Sequence, residues 1–170
     1  MAIRAVAAKC VIRLQSIAKL HGGTFIKTVG NSRQMWTFPD TREAWCAVLD
    51  MRTTANDEFD DIQFKAGFQF GSVIQEPGDV NGDSVNSAAR LADLANLDQV
   101  FTSGDTLSRL GPSVTDEFRY VDEVRVKGKA EVMEAFEALG EEDDITVMGS
   151  VAQRARAMGS VTLKLEFIGG

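Results

Sequence analysis

The sequence predicts an α+β fold, a sandwich in which a mixed, largely antiparallel sheet carries helices on one face. Three features predict it. Apolar residues recur at helical spacing near the N-terminus and again over 41–54 and 83–95. The stretch from Ile62 to Phe70 alternates strictly, putting Ile62, Phe64, Ala66, Phe68 and Phe70 on one face, as a half-buried strand requires. Short β-branched and aromatic runs elsewhere flank turn residues in the manner of hairpins.

In chain order, Ile3, Val6, Cys10, Leu14 and Ile17 mark one amphipathic helix over residues 2–20. His21-Gly22-Gly23 ends it, because glycine accepts the left-handed conformation past a last turn. Thr24–Val29 and Arg33–Phe38 form a hairpin around Gly30-Asn31-Ser32. Asp40 and Glu43 make a capping pair for a helix from Thr41 to about Thr54, and Asn56–Asp61 reads as an acidic loop. The alternating strand begins at Ile62 and is expected to run on to Gln75, with a turn over Glu76–Asp79. Asp83–Ala95 is a helix capped by Asp83, with Val85, Ala88, Leu91, Ala92 and Ala95 inward and small enough for close packing. Val100–Thr102 is a short strand, Ser103 caps a short helix to Leu110, and Arg119–Val126 and Val132–Ala138 are two further strands.

After Leu139 the character changes. Glu141–Asp144 is a solvated acidic run, Ser150–Met158 a weak helix, and Val161–Ile168 an alternating strand. The chain thus divides into a main domain over 1–139, an acidic linker with a weak helix over 140–160, and an isolated strand over 161–170. That last strand reads as the start of a further domain, or as one that pairs with the sheet or with a neighbouring chain.

At 170 residues the chain suits one core that needs no disulfide or metal staple. Ten Phe and two Trp exclude disorder of the whole, and no apolar run is long enough for a membrane span. The N-terminal segment carries charges throughout and lacks the unbroken apolar stretch of a signal peptide, so a cytoplasmic location with reduced Cys10 and Cys46 is expected. Net charge is −7 with no basic stripe, which argues against nucleic acid as a partner. All 25 acids lie between Asp40 and Glu166, while residues 1–39 hold Arg4, Lys9, Arg13, Lys19, Lys27 and Arg33 and no acid.

Three segments carry candidate chemistry: Lys27–Asn31, Gly78–Arg90 and Val124–Lys129. Each has an ordinary reading, with Lys27 a surface lysine at a strand end, Asp79 a turn residue and Asp83 a helix cap. Asn86 and Arg90, four apart, share one helix face turned away from the small inward residues. Taken together the groups suit a nucleotide: arginine and lysine take phosphate, and a Lys/Asp pair can read an adenine edge. His21 reads as a companion to the helix end, Cys10 and Cys46 as core without metal spacing, and Trp36 and Trp45 as core or dimer surface.

On HGGTFIKTVGN, on FKAGFQFGSVIQEPGDVNGDSVNSAARLADLA and on VDEVRVKGKAEVMEAFEAL the sequence resembles the class III adenylate/guanylate cyclases, over residues 3–139. The resemblance implies a ferredoxin-like cyclase sandwich, working as a homodimer or with a cyclase-domain partner, that converts ATP to cyclic AMP and pyrophosphate. By position, it implies that Lys27 and Asp79 read adenine, that Asn86 orients the ribose, and that Arg90 stabilises charge in the transition state. Lys127 matches the lysine that holds the triphosphate, ahead of Lys129. Magnesium or manganese is expected for the family, held by two aspartates.

Here the sequence departs. The hairpin-turn position holds Asn31, the strand that should precede the first helix is missing, and the acid-free segment supplies no carboxylate. No metal-binding residue is therefore assigned. Three readings follow: a domain inactive or very weak alone, a complementary half needing a metal-competent partner, or a non-enzymatic nucleotide-binding or dimerisation module.

Overall fold

The computed structural model describes residues 2–29, 33–59, 62–96, 98–125, 132–139 and 160–169. The expected weak helix at 150–158 and the acidic run at 141–144 lie outside them. Helix α1 (Ala2–Leu20) leads into strands β1 (Thr24–Val29) and β2 (Arg33–Phe38), followed by α2 (Thr41–Glu58) and β3 (Ile62–Gly71). A small hairpin, β4 (Ile74–Glu76) and β5 (Asp79–Asn81), precedes α3 (Asp83–Leu94). The chain continues as β6 (Val100–Ser103), α4 (Gly104–Leu110), α5 (Pro112–Thr115), β7 (Phe118–Arg125), β8 (Val132–Ala138) and β9 (Ser160–Gly169).

The main sheet has seven strands in the order β1-β2-β9-β3-β6-β8-β7. Among the described residues only the β3–β6 pairing is parallel. The strand at 161–170, read from the sequence either as the start of a further domain or as one that pairs with the sheet, lies near the middle of this sheet. β9 runs antiparallel to β2 from Arg33↔Glu166 to Phe38↔Val161, and antiparallel to β3 from Ile62↔Gly169 to Gly71↔Ser160. It thereby joins β2 and β3, between which it lies in the strand order.

β3 shows why the sheet has two covered faces. Phe64, Ala66, Phe68 and Phe70 enter the main core with α1, α2 and α4, where Trp36, Phe38 and Trp45 are also buried. Trp45 stacks on Phe68 at 5.9 Å between ring centroids and tilts against Phe118 at 4.7 Å. The intervening residues face α3: Lys65 Nζ donates to the Ala95 carbonyl at 3.2 Å, and Gly67 lies against the α3 backbone. The helices are therefore not on one face, as the sequence suggested. α1, α2 and α4 cover one side, and α3 covers the other, its Leu91 and the capping Ala95 clustering with Phe101, Val124 and Ala135 of the sheet.

Local boundaries follow from capping and burial. The Asp40 side chain accepts from the Glu43 amide at 2.8 Å, as the capping pair requires. α2 runs through the predicted acidic loop to Glu58, because Ala55 extends its buried stripe and Glu58 meets Arg13 of α1 at 3.5 Å. β3 ends at Gly71 rather than Gln75, and the chain turns at Pro77-Gly78 to form the β4–β5 hairpin. The cap of α3 is Gly82, not Asp83. Its φ of 143° suits glycine, and a Cβ there would sit 2.9 Å from the Ser72 carbonyl oxygen.

Candidate functional site

The described site residues gather on the α3 side of the sheet, and a bulge in β1 is what brings Lys27 there. Phe25 pairs with Trp36, yet Lys27 pairs with Met35, so the register shifts at Ile26. Strict alternation would put Phe25 and Lys27 on one face. With the extra residue, Phe25 packs edge-on against Trp36 at 5.4 Å while Lys27 stands over the face of Met35. Lys27 Nζ then meets Asp79 Oδ1 of β5 at 2.8 Å. The Val80 amide also donates to Asp79 Oδ1 at 2.8 Å. Lys27 first, and then that amide, hold the Asp79 carboxyl below its ordinary range. Beside the pair, Met35, Val80 and Val85 are buried together with Ile26 and Val73 against them. An ion pair next to an apolar floor is an arrangement a flat heterocycle can use.

α3 supplies the second part. Val85, Ala88, Leu91 and Ala92 are buried against the sheet, which leaves Asn86 and Arg90 exposed on the outer face one turn apart. Arg90 borders a groove of about 400 Å³ between the end of α3 and the β7–β8 hairpin, lined also by Gln99, Arg119, Arg125 and Glu137. In that wall Arg119 donates from Nε and Nη2 to Glu137 Oε1, at 2.9 and 2.6 Å.

A contact that the sequence reading missed lies alongside. Arg33, the first residue of β2, reaches α3 and places Nη1 2.5 Å from Asp93 Oδ1. Asp93 follows Arg90 by three residues and shares its helix face, which was the available signal. Asn31, Lys127 and Lys129 lie outside the described residues.

Among the described residues no three His, Cys, Asp or Glu side chains converge where a metal ion could sit. The other singled-out residues are structural. His21 places Nε2 2.8 Å from Asp50 and Nδ1 3.4 Å from Glu43, both on α2. Cys10 and Cys46 are free, and burial pushes each thiol up to about 11. Among the described residues no helix is long and apolar enough to cross a membrane.

This α+β fold, a mixed sheet with helices packed on it, is shared with solved adenylate and guanylate cyclase domains. Particular solved structures share it. A crystal structure of an adenylate/guanylate cyclase/hydrolase from Silicibacter pomeroyi superimposes with a TM-score of 0.69 at 22% identity, covering 75% of this chain and 77% of that one. The adenylyl cyclase CyaB from P. aeruginosa gives 0.59 at 18% identity over 84% and 85% of the two chains. The guanylate cyclase domain of RhGC from Catenaria anguillulae, solved in complex with GTP, gives 0.60 at 19% identity over 82% and 84%. At these identities the likeness is one of fold. No family model and no curated protein matches the sequence.

Proposed function

We propose that this chain is a class III cyclase-type domain that takes ATP as its nucleotide, is silent or very weak alone, and acts as a dimer or with a second cyclase domain. The single observation that carries the reading is the Lys27–Asp79 pair, drawn together from β1 and β5 next to an apolar floor. Lysine donates to a ring nitrogen and aspartate accepts from an exocyclic amine, which is the pattern of adenine and the reverse of guanine. Asn86 offers an amide to the ribose. Arg90, exposed one turn on, is suited to the charge that grows on the α-phosphate when the 3′-hydroxyl oxygen bonds to phosphorus and the bond to the departing pyrophosphate breaks. Lys127 is proposed to hold the triphosphate tail.

A second reading, the complementary half, is favoured by the donor set. The chain offers lysine, aspartate, asparagine and arginine, but among the described residues no converging acids to activate the hydroxyl. The test is cyclic AMP formation from ATP with excess Mn²⁺. The chain alone and mixed with a cyclase domain bearing metal aspartates would be compared with Arg90→Ala in both settings. Little product alone, a gain on mixing, and loss of that gain in Arg90→Ala are expected. Strong activity from the chain by itself would overturn the argument from missing acids, and an Asp79→Ala variant that weakens ATP and GTP binding equally would remove the adenine assignment.

A further inference from the structure

We propose that the groove between the end of α3 and the β7–β8 hairpin binds an organic monoanion, its carboxylate or sulfonate held by Arg90 and its aromatic body laid on an apolar floor. The groove has a volume of about 400 Å³, within the range of roughly 300–1,000 Å³ that small-molecule sites occupy. Phe101, Val124 and Ala135 line it, and all three belong to the buried cluster that includes Leu91 and Ala95. A ring placed there extends that cluster and takes apolar surface out of water. The inference does not need the nucleotide reading, because Arg90 enters it only as an exposed guanidinium on the wall of a groove.

The charges around the floor decide which ligand fits. Arg90, Arg119 and Arg125 line the groove against Asp122, Glu123 and Glu137, so its formal charges cancel and it has no excess to draw in a triphosphate. The groups are not equivalent. Arg119 is committed to Glu137, donating from both Nε and Nη2 to the same carboxylate oxygen. Asp122 Oδ1 accepts from the Glu123 amide at 2.7 Å, and Gln99 Oε1 accepts from the Asn96 amide at 2.7 Å. Arg90 makes neither an ion pair nor a side-chain hydrogen bond among the described residues. Leu94, one helical turn further on, lines the same wall, as the spacing requires. One uncommitted planar guanidinium beside an apolar floor suits a single carboxylate or sulfonate, which it can meet with two parallel hydrogen bonds.

The probe is naphthalene-2-sulfonate, titrated into the full chain with methyl-labelled alanine, valine and leucine and followed by NMR. Shifts at Ala135, Val124 and Leu94 that saturate together are expected. The neutral naphthalene-2-sulfonamide, of the same shape, should bind about tenfold more weakly, the weight of a hydrogen bond to a charged group. Arg90→Ala should weaken the sulfonate by about the same factor and leave the sulfonamide unchanged, with a thermal melt to show that the variant is folded. Equal binding of the two probes to the wild-type chain overturns the inference without recourse to any variant. So does undiminished binding of the sulfonate to Arg90→Ala, or the absence of shifts at these methyls with millimolar probe. Shifts confined to Val73, Val80 and Val85 would put the probe beside the Lys27–Asp79 pair, overturning the inference while leaving the nucleotide reading intact.

Discussion

β3 meets the backbone of α3 closely at Gly67, and adding one methyl group there tests the architecture that carries the site. A Cβ at Gly67 would lie 2.4 Å from the Ala92 amide nitrogen, 2.7 Å from the Ala88 carbonyl oxygen and 2.8 Å from the Leu91 carbonyl carbon. These are backbone atoms in the middle of α3, so no rotamer change relieves the contact. Restoring ordinary contact distance requires α3 to lift by about 1 Å, and a gap of that size forfeits roughly a quarter to a half of each dispersion contact it opens. Ala88, Leu91 and Ala92 lose their fit against the sheet together. Gly67→Ala is therefore expected to cost about 3 kcal/mol, at the upper end of overpacking. For a chain of this size that is a fall in Tm of about 6–12 °C. Because the same helix carries Asn86 and Arg90, a shift of about 1 Å should also cut any reaction at the site by roughly a hundredfold. Urea and thermal unfolding of wild type and variant give the first number, and the cyclic AMP assay with a partner domain gives the second. A variant within about 0.5 kcal/mol of wild type, the range of an inconsequential surface change, would refute the close packing of α3 on β3.

Other outcomes follow from single features. Leu165→Pro breaks the ladder of a strand paired on both sides, opposite Gln34 and Ala66, and should cost roughly 3 kcal/mol or more, read as loss of the cooperative transition in circular dichroism. The Asp50 hydrogen bond, together with the Asp50 and Glu43 charges, outweighs burial and raises the His21 pKa above its ordinary 6.5. The resulting stability is complete below pH 6.5 and is lost as pH rises through the higher folded value, so the urea midpoint should fall across that interval, and Asp50→Asn should flatten the dependence. Cys10 and Cys46, with thiols pushed up to about 11, should resist a thiol reagent at pH 8 in the native protein and react in full once it is unfolded.

What the sequence disclosed was local. The stripe Cys10, Leu14 and Ile17, the alternation of Ile62–Phe70 and the Asp40 cap each act within a few residues, and each is found as read. What it concealed depends on neighbours that pattern does not name. Alternation alone sends Lys27 to the wrong side of its hairpin, because a bulge at Ile26 has no fixed residue signature. The inward residues of α3 were legible, but not which face of the sheet received them; only the β3 positions between its phenylalanines decide that. The Arg33–Asp93 pair joins a strand to a helix far along the chain; helical spacing puts Asp93 on the face of Arg90 but does not point to Arg33. Lys27 and Asp79 were proposed from resemblance, and the structure brings the two side chains together.

The place of β9 in the sheet also bears on how the protein is made. Its partners β2 and β3 are complete by Gly71, but the strand between them ends at Gly169. At about 5–20 residues per second, a ribosome leaves that slot unfilled for on the order of ten seconds. During the interval the nascent chain presents two unpaired strand edges with an apolar face behind them, the kind of surface that captures other extended segments. Slow translation of the codons after residue 71 is expected to prolong that open state, and fast translation to shorten it.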